Sequence, residues 1–388
     1  MSAPAPAVTT DEKFTAPLLA ATERHPQARV SLSAALANDT ASHAYLFHGP
    51  GGVGKAEAAK AFAGALLTDG AVDDQSAFDR ALRGSHPDLT WVKPSGAHDM
   101  RIDDVAEPII RGATRTPMEG NRRVFVIERA ETMSDAVANS MLKTLEEPAA
   151  FAHFILLTSS IGRMLPTVIS RCQAVRFDAI PAQVIADQLA AEGVDASRAM
   201  SSASLAAGDV ELARELASDD GDAMRSEAGR IVGCALRGVS GRERPWEAVL
   251  SRAVSAGEAA EAAELVDLET RIEAFPKGRE RSAAQKEGEQ SAHRSARRVR
   301  SVALDRSLRI AALLLRDLAT AASGNADLLL ARDRAETIVK TAADRPIAPF
   351  LTAAAEIDET RRTLRRNVAE ELTLQAMSFR LDRVLAGV

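Results

Sequence analysis

The chain has 388 residues, with 48 Lys and Arg against 54 Asp and Glu and a formal net charge of −6. That balance argues against a protein that binds nucleic acid through its overall charge, because such proteins usually carry a net basic face. The two cysteines, Cys172 and Cys234, form no CxxC pair, which excludes a four-cysteine zinc site, and nothing suggests a secreted disulfide framework.

Residues 1–14, MSAPAPAVTTDEKF, read as a frayed leader and lack the pattern of a signal peptide. No apolar run reaches the length of about 18 residues that a membrane span needs, so a cytoplasmic protein with no membrane partner is expected. Residues 15–40 carry helical spacing. AYLFHGP (44–50) reads as a short strand entering a glycine loop, and AEAAKAFAGALL (56–67) as the helix that leaves it. Further strands are expected at 88–94, 122–128, 153–159 and 173–178, with helices at 101–115 and 134–147 between them. Strands alternating with helices imply a parallel sheet covered on both faces. After Ile180–Pro181 the pattern is helical to the end. The stretch 276–300 interrupts it with eight Lys or Arg, three Glu and few large apolar residues. It reads as an extended solvated helix or a partly disordered insert; a nucleic-acid contact is the sharper alternative, without aromatic residues for base stacking.

The loop GPGGVGKA (49–56) nearly completes the phosphate-binding pattern G-x-x-x-x-G-K-[ST]. Gly49, Gly51, Gly54 and Lys55 are candidate nucleotide-binding residues, but Ala56 stands where a hydroxyl would ligate Mg²⁺. At the end of the next core strand, VFVIERAE (124–131), Glu128 occupies the place of the metal-holding Asp and Arg129 the place of the water-polarising Glu. A cation cannot act as that base. Loss of the hydroxyl and of the base strikes the same reaction twice, so hydrolysis is not expected here.

SHAYLFHGPGGVGKAEAAKAFAGALL, RRVFVIERAETMSDAVANSMLKTLEEPAAFAHFILLTSS and MLPTVISRCQAVRF resemble, in order and spacing, the AAA+ module of bacterial clamp-loader subunits of the DNA polymerase III holoenzyme. The similarity runs over about residues 25–180, and NSMLKTLEEP with Ser170–Arg171–Cys172 is its most specific part. The resemblance implies a RecA-like α/β domain at 1–178, a helical lid at 179–221 and a helical collar at 222–388 that holds a ring together. Leu364, Val368 and Leu372 would lie on one collar face. In this family the gamma or tau motors hydrolyse ATP, while a stationary member completes a five-subunit ring and offers an arginine to its neighbour's ATP. Carried onto this chain, that arginine finger is Arg171, and the chain would serve rather than be an ATPase. A gamma- or tau-like ATPase is the alternative. Implied partners are the gamma or tau subunits, the delta subunit, the sliding clamp and primer–template DNA.

The cofactor expectation is limited to ATP or ADP at the degenerate loop, with no zinc, since 68–84 lacks the family's cysteines. Where a motor's lid carries a sensor arginine, Glu211 stands here, with Arg214 one turn further on. The first sensor would fall around Thr158 to Ser160. Arg111 and Arg115 are candidate DNA-backbone contacts, with a plain solvated helix face as the competing reading. Cys172 is expected to be a packing residue.

Overall fold

A computed structural model of the chain describes residues 12–38, 40–69, 73–94, 99–273, 278–366 and 368–387. The chain divides into two compact units, Met1–Ile180 and Pro181–Val388.

The first unit is built on five parallel strands: β1 (Ala44–His48), β2 (Leu89–Val92), β3 (Arg123–Ile127), β4 (Ala152–Thr158) and β5 (Gln173–Arg176). Their spatial order is β2-β3-β4-β1-β5. The register pairs Leu46 with Leu156 and Phe125 with Phe154. All seven residues of β4 are buried, as expected of a parallel strand with both faces covered. On one face Phe125 stacks on Phe154 with ring centroids 5.2 Å apart. Val137, Ala138, Met141 and Leu145 of the helix Asp135–Glu146 pack into the same cluster. On the other face Tyr45 and Phe47 meet Phe62 of the helix Lys55–Leu67. The five expected strands are all present, with ends moved by one or two residues.

Two expectations need correction here. The helical spacing at 15–40 is borne out as two helices, Glu12–Ala21 and Pro26–Ala37, but the first begins inside the expected leader. Pro26 explains the break, because it fits the first turn of a helix and not its interior. Residues 1–11 of that leader lie outside the described residues. The expected helix at 101–115 is one α-turn, Ile102–Val105, then a π-helical stretch, Ala106–Arg111, and a 3₁₀ turn, Gly112–Thr114. Pro108 lacks the N–H that a regular α-ladder would use there.

The second unit is helical throughout its described residues. Helices Ala182–Ala191, Ala196–Ala206 and Val210–Ala217 come first, and Asp219–Arg237 runs through the expected lid–collar boundary at 221. Two long helices follow, Trp246–Glu273 and Arg279–Ala322, and they pack on each other. The charged stretch therefore belongs to a continuous helix from residue 279, while 276–277 lie outside the described residues. The sequence hides its packing face because the seam is built of small residues. A Cβ on Gly288 would fall 2.1 Å from Leu268 Cδ1, and one on Gly257 would fall 2.9 Å from the Ala296 carbonyl. Ala292 and Ser295 are buried on the same helix.

The expected single face of Leu364, Val368 and Leu372 is also corrected. Leu364 ends the helix Ile347–Leu364, and Leu372 lies on the next, Glu370–Ala386, with 66% of its surface exposed. The charges mark this break. Arg361 and Arg362 sit at one helix's negative end, and Glu370 and Glu371 at the next one's positive end. The inward positions of the last helix are Leu374, Met377 and Leu381.

One buried ion pair ties this unit together. Arg225, on the helix Asp219–Arg237, donates to Asp333 at 2.6 Å, and the Arg225 side chain is 2% exposed. Asp333 N–H in turn donates to Ser201 Oγ at 3.0 Å. Removing one partner leaves a buried charge uncompensated. Asp333→Ala is expected to destabilise the protein by about 3 kcal/mol, read as a lower urea midpoint at unchanged slope.

Candidate functional site

The glycine loop starts where β1 ends. Gly49 has φ +145°, and a Cβ there would lie 2.0 Å from the Phe177 carbonyl oxygen, so no side chain fits. Gly52 (φ 62°) and Gly54 (φ 92°) take the left-handed conformation that glycine adopts without strain. Gly54 caps the helix Lys55–Leu67, whose free N–H groups and dipole favour an anion. Gly51 is exposed at the loop tip. Lys55 Nζ donates to the Gly49 carbonyl at 2.7 Å and also to the Pro50 carbonyl. The loop thus holds its own lysine. The phosphate half keeps the helix N–H groups and the lysine that would hold a nucleotide's phosphates.

The half that would hold a metal does not. Ala56 offers only a methyl group. Glu128 accepts from the Trp91 indole N–H at 2.6 Å and pairs with Lys93 at 3.5 Å. Trp91 also receives the Lys60 ammonium over its ring, 5.7 Å from the centroid. Arg129 follows in the left-handed region at φ 52°, an uncommon place for a non-glycine residue. Nearby, buried Glu131 accepts from Ser159 Oγ at 2.7 Å, and Thr158 Oγ1 accepts from the Ser160 N–H at 3.1 Å. Among the described residues, no group of three or more His, Cys, Asp or Glu is placed to hold a metal ion.

Arg171 lies elsewhere. It precedes β5, at the amino edge of the sheet, while the loop sits at the carboxyl edge. β5 spans four residues, so the two ends are separated by about 13 Å. Arg171 Nη1 donates to the Thr167 carbonyl at 2.7 Å, and Nη2 pairs with Glu146. Ser170 Oγ donates to the same Thr167 carbonyl at 3.1 Å, which secures the turn. Cys172 packs against the hydrophobic core, and burial pushes its thiol up to about 12, so it is no nucleophile at neutral pH.

Arg111 and Arg115 are exposed, and both pair with Glu107, at 2.7 and 2.9 Å. Glu211 is exposed in the first turn of Val210–Ala217, where an acid suits the helix dipole. Arg214 on that helix is held by Glu192, with Nη2 to Oε1 at 2.8 Å.

Three residues of the first unit escape a motif reading: Trp91, Glu146 and His25. His25 is buried, and its Nε2 bonds to the loop carbonyl of Val53 at 2.7 Å, which makes Nε2 the protonated nitrogen. A His–Pro pair ahead of the strand was the available signal. Trp91 was legible only as an aromatic in a strand, and Glu146 only as part of LEEP.

Five parallel strands, a glycine loop leading into a helix and a second helical unit define a RecA-like protein of the AAA+ class. Residues 24–181 match the family model described as DNA polymerase III, delta subunit. Over 176 residues the chain is 34% identical to DNA polymerase III subunit delta′ of Bacillus subtilis, covering 44% of this chain and 53% of that one. It is 36% identical over 137 residues to the delta′ subunit of Pseudomonas aeruginosa, covering 34% and 42%. It is also 34% identical over 165 residues to the tau subunit of B. subtilis, covering 41% and 29%. The matched stretch spans about half or less of each relative. The resemblance to clamp-loader subunits, and to delta-prime in particular, is thereby borne out for the first unit.

Burial pushes the His25 imidazole below its ordinary 6.5, outweighing the bond to Val53. Burial, then Arg176 and Lys55, lowers His48 likewise, and burial followed by Arg80 lowers His86. An unfolded chain takes up these protons near 6.5, the folded one only at lower pH. Protons therefore favour unfolding, and stability held above that value is lost as pH falls below it. The Tm is expected to drop between about pH 7.5 and about pH 5.5. His25→Gln, which removes one of the three titrations, is expected to make that drop shallower.

Proposed function

We propose that this chain is a cytoplasmic, delta-prime-like subunit of the bacterial replicative clamp loader. It helps place a sliding clamp on primed DNA and hydrolyses no ATP itself. Gamma or tau motors and a delta subunit are its partners in the ring, and the second unit supplies the lid and collar. Arg171 acts on the nucleotide of a neighbour.

The carrying observation is the split between the two sheet edges. The chain's own loop has lost its metal-binding half at the carboxyl edge, with Ala56 at the loop and Glu128 committed to Trp91 and Lys93. Arg171 stands at the other edge, where it cannot serve that loop. A guanidinium delivered to a transferring phosphoryl group neutralises developing charge and is worth roughly 10³–10⁵ in rate in the best cases. The delta′ and tau relatives in B. subtilis stand level at 34% identity, so it is the site chemistry that supports a non-hydrolysing role. An ATPase needs a metal ligand at 56 and a base at 129, and this chain has a methyl group and a cation there.

Nucleotide binding at the loop, through the backbone N–H groups and Lys55, is compatible with this reading, and hydrolysis is not. Arg111 and Arg115, exposed beside a single carboxylate, would add backbone contacts to DNA held in the ring. Pairs this exposed are weak and readily exchange a carboxylate for a phosphate.

The test is the DNA- and clamp-stimulated ATPase of a loader reconstituted with variants of this chain. Arg171→Ala is expected to cut turnover several-fold, and Lys55→Ala to leave it within about twofold of the parent. The reverse pattern would show a working motor and sink the proposal.

A further inference from the structure

We infer that Glu146 is a positioning residue for Arg171, holding the finger in its working geometry. The inference rests on the proposed role of Arg171 as a trans-acting finger.

The guanidinium is held at both of its Nη groups. Its Nε is buried without a hydrogen-bond partner, which leaves only the two Nη groups for work outside the chain. Nη1 is anchored on the Thr167 carbonyl at 2.7 Å. Nη2 is anchored on Glu146 Oε1. Nη1 makes a further, long bond to Ser170 Oγ at 3.4 Å, which a phosphate oxygen can displace, and one Nη2 hydrogen remains, so the two Nη groups can meet phosphate oxygens together, the fork geometry that distinguishes Arg from Lys. About a third of the Arg171 side chain is exposed, so those hydrogens have a route outward.

Both anchors are themselves rigid. Glu146 ends the helix Asp135–Glu146, and its neighbour Leu145 is buried in the core. Thr167 belongs to the short helix Pro166–Ile169, pinned by buried Val168. A free arginine would have to freeze its long stem each time it met a phosphate. Here that ordering is built into the fold, as a preorganised site requires. An ion pair this exposed adds little stability, so its effect should appear in turnover rather than in folding.

The experiment is a double-mutant cycle in the reconstituted loader, with Glu146→Ala, Glu146→Gln, Arg171→Ala and Glu146→Ala combined with Arg171→Ala. Glu146→Ala is expected to lower the stimulated kcat roughly threefold, with the KM for ATP and the Tm of the isolated chain unchanged. Glu146→Gln, which keeps an acceptor and loses the charge, should recover part of that loss. In the Arg171→Ala background, Glu146→Ala should cost nothing further. The inference is overturned if Glu146→Ala leaves turnover unchanged or raises it while Arg171→Ala lowers it; a rise would make the carboxylate a restraint. Equal losses in both backgrounds would overturn it too, placing the role of Glu146 elsewhere. If Arg171→Ala itself has no effect, the finger reading fails first, and that outcome is distinct from the others.

Discussion

Everything in the first unit follows from one constraint: its five strands all run the same way. A parallel strand cannot be reached by a tight turn, so each connection crosses back over a face of the sheet, and every strand ends at the same edge. The loop after β1, Glu128 after β3 and Thr158 at the end of β4 must therefore gather at the carboxyl edge. The return connections must end at the amino edge, which is where Glu146, Thr167 and Arg171 stand. One sheet thus presents two chemically separate borders. A residue on one border cannot finish a site on the other.

The carboxyl border has been turned inward on itself. Lys55, which would greet phosphate, donates to the carbonyls of its own loop. Glu128, which would greet a metal, is taken by an indole and an ammonium. Glu131 takes the hydroxyl of Ser159. Groups that an ATPase keeps available for ligand are spent here on local hydrogen bonds, each net worth about 1 kcal/mol. At the amino border Arg171 is likewise bonded within the chain, to Thr167 and Glu146, yet about a third of its side chain stays open to solvent.

How much of this could be read from sequence depended on the range of the interaction. The strands were legible because burial on both faces writes itself as continuous apolar runs such as VFVI and FILL. The loop was legible because its geometry demands glycine at fixed spacing. The pairing of Trp91 with Glu128 was not, because it joins neighbouring strands 37 residues apart. Nor was the pairing of Glu146 with Arg171, 25 residues apart across two connections. The charged stretch from residue 279 was legible as a helix, but its packing face was not, because a seam of Gly, Ala and Ser carries no hydropathy signal, although it lets helix backbones approach closely. The break between the last two helices was written in charge rather than in hydrophobicity, and an i+4 count of leucines ran straight across it.

A loop that nearly matches a nucleotide motif need not owe its form to nucleotide. Gly49 is required by the Phe177 carbonyl that closes on it, whatever the loop binds. The Phe177 N–H in turn donates to the His48 carbonyl at 2.8 Å, so the loop and the end of β5 form one joint. His25 braces the Val53 carbonyl from a third element, and its ring packs on Phe177 at 4.9 Å. Lys55 closes the turn by donating to the Gly49 and Pro50 carbonyls. Gly49 and Lys55 are motif residues that this joint uses, whereas the departures from the motif, at 56, 128 and 129, fall on positions that serve metal and water. β5 begins two residues after Arg171 and ends one residue before Phe177, so the strand that leads away from the arginine runs directly into this joint.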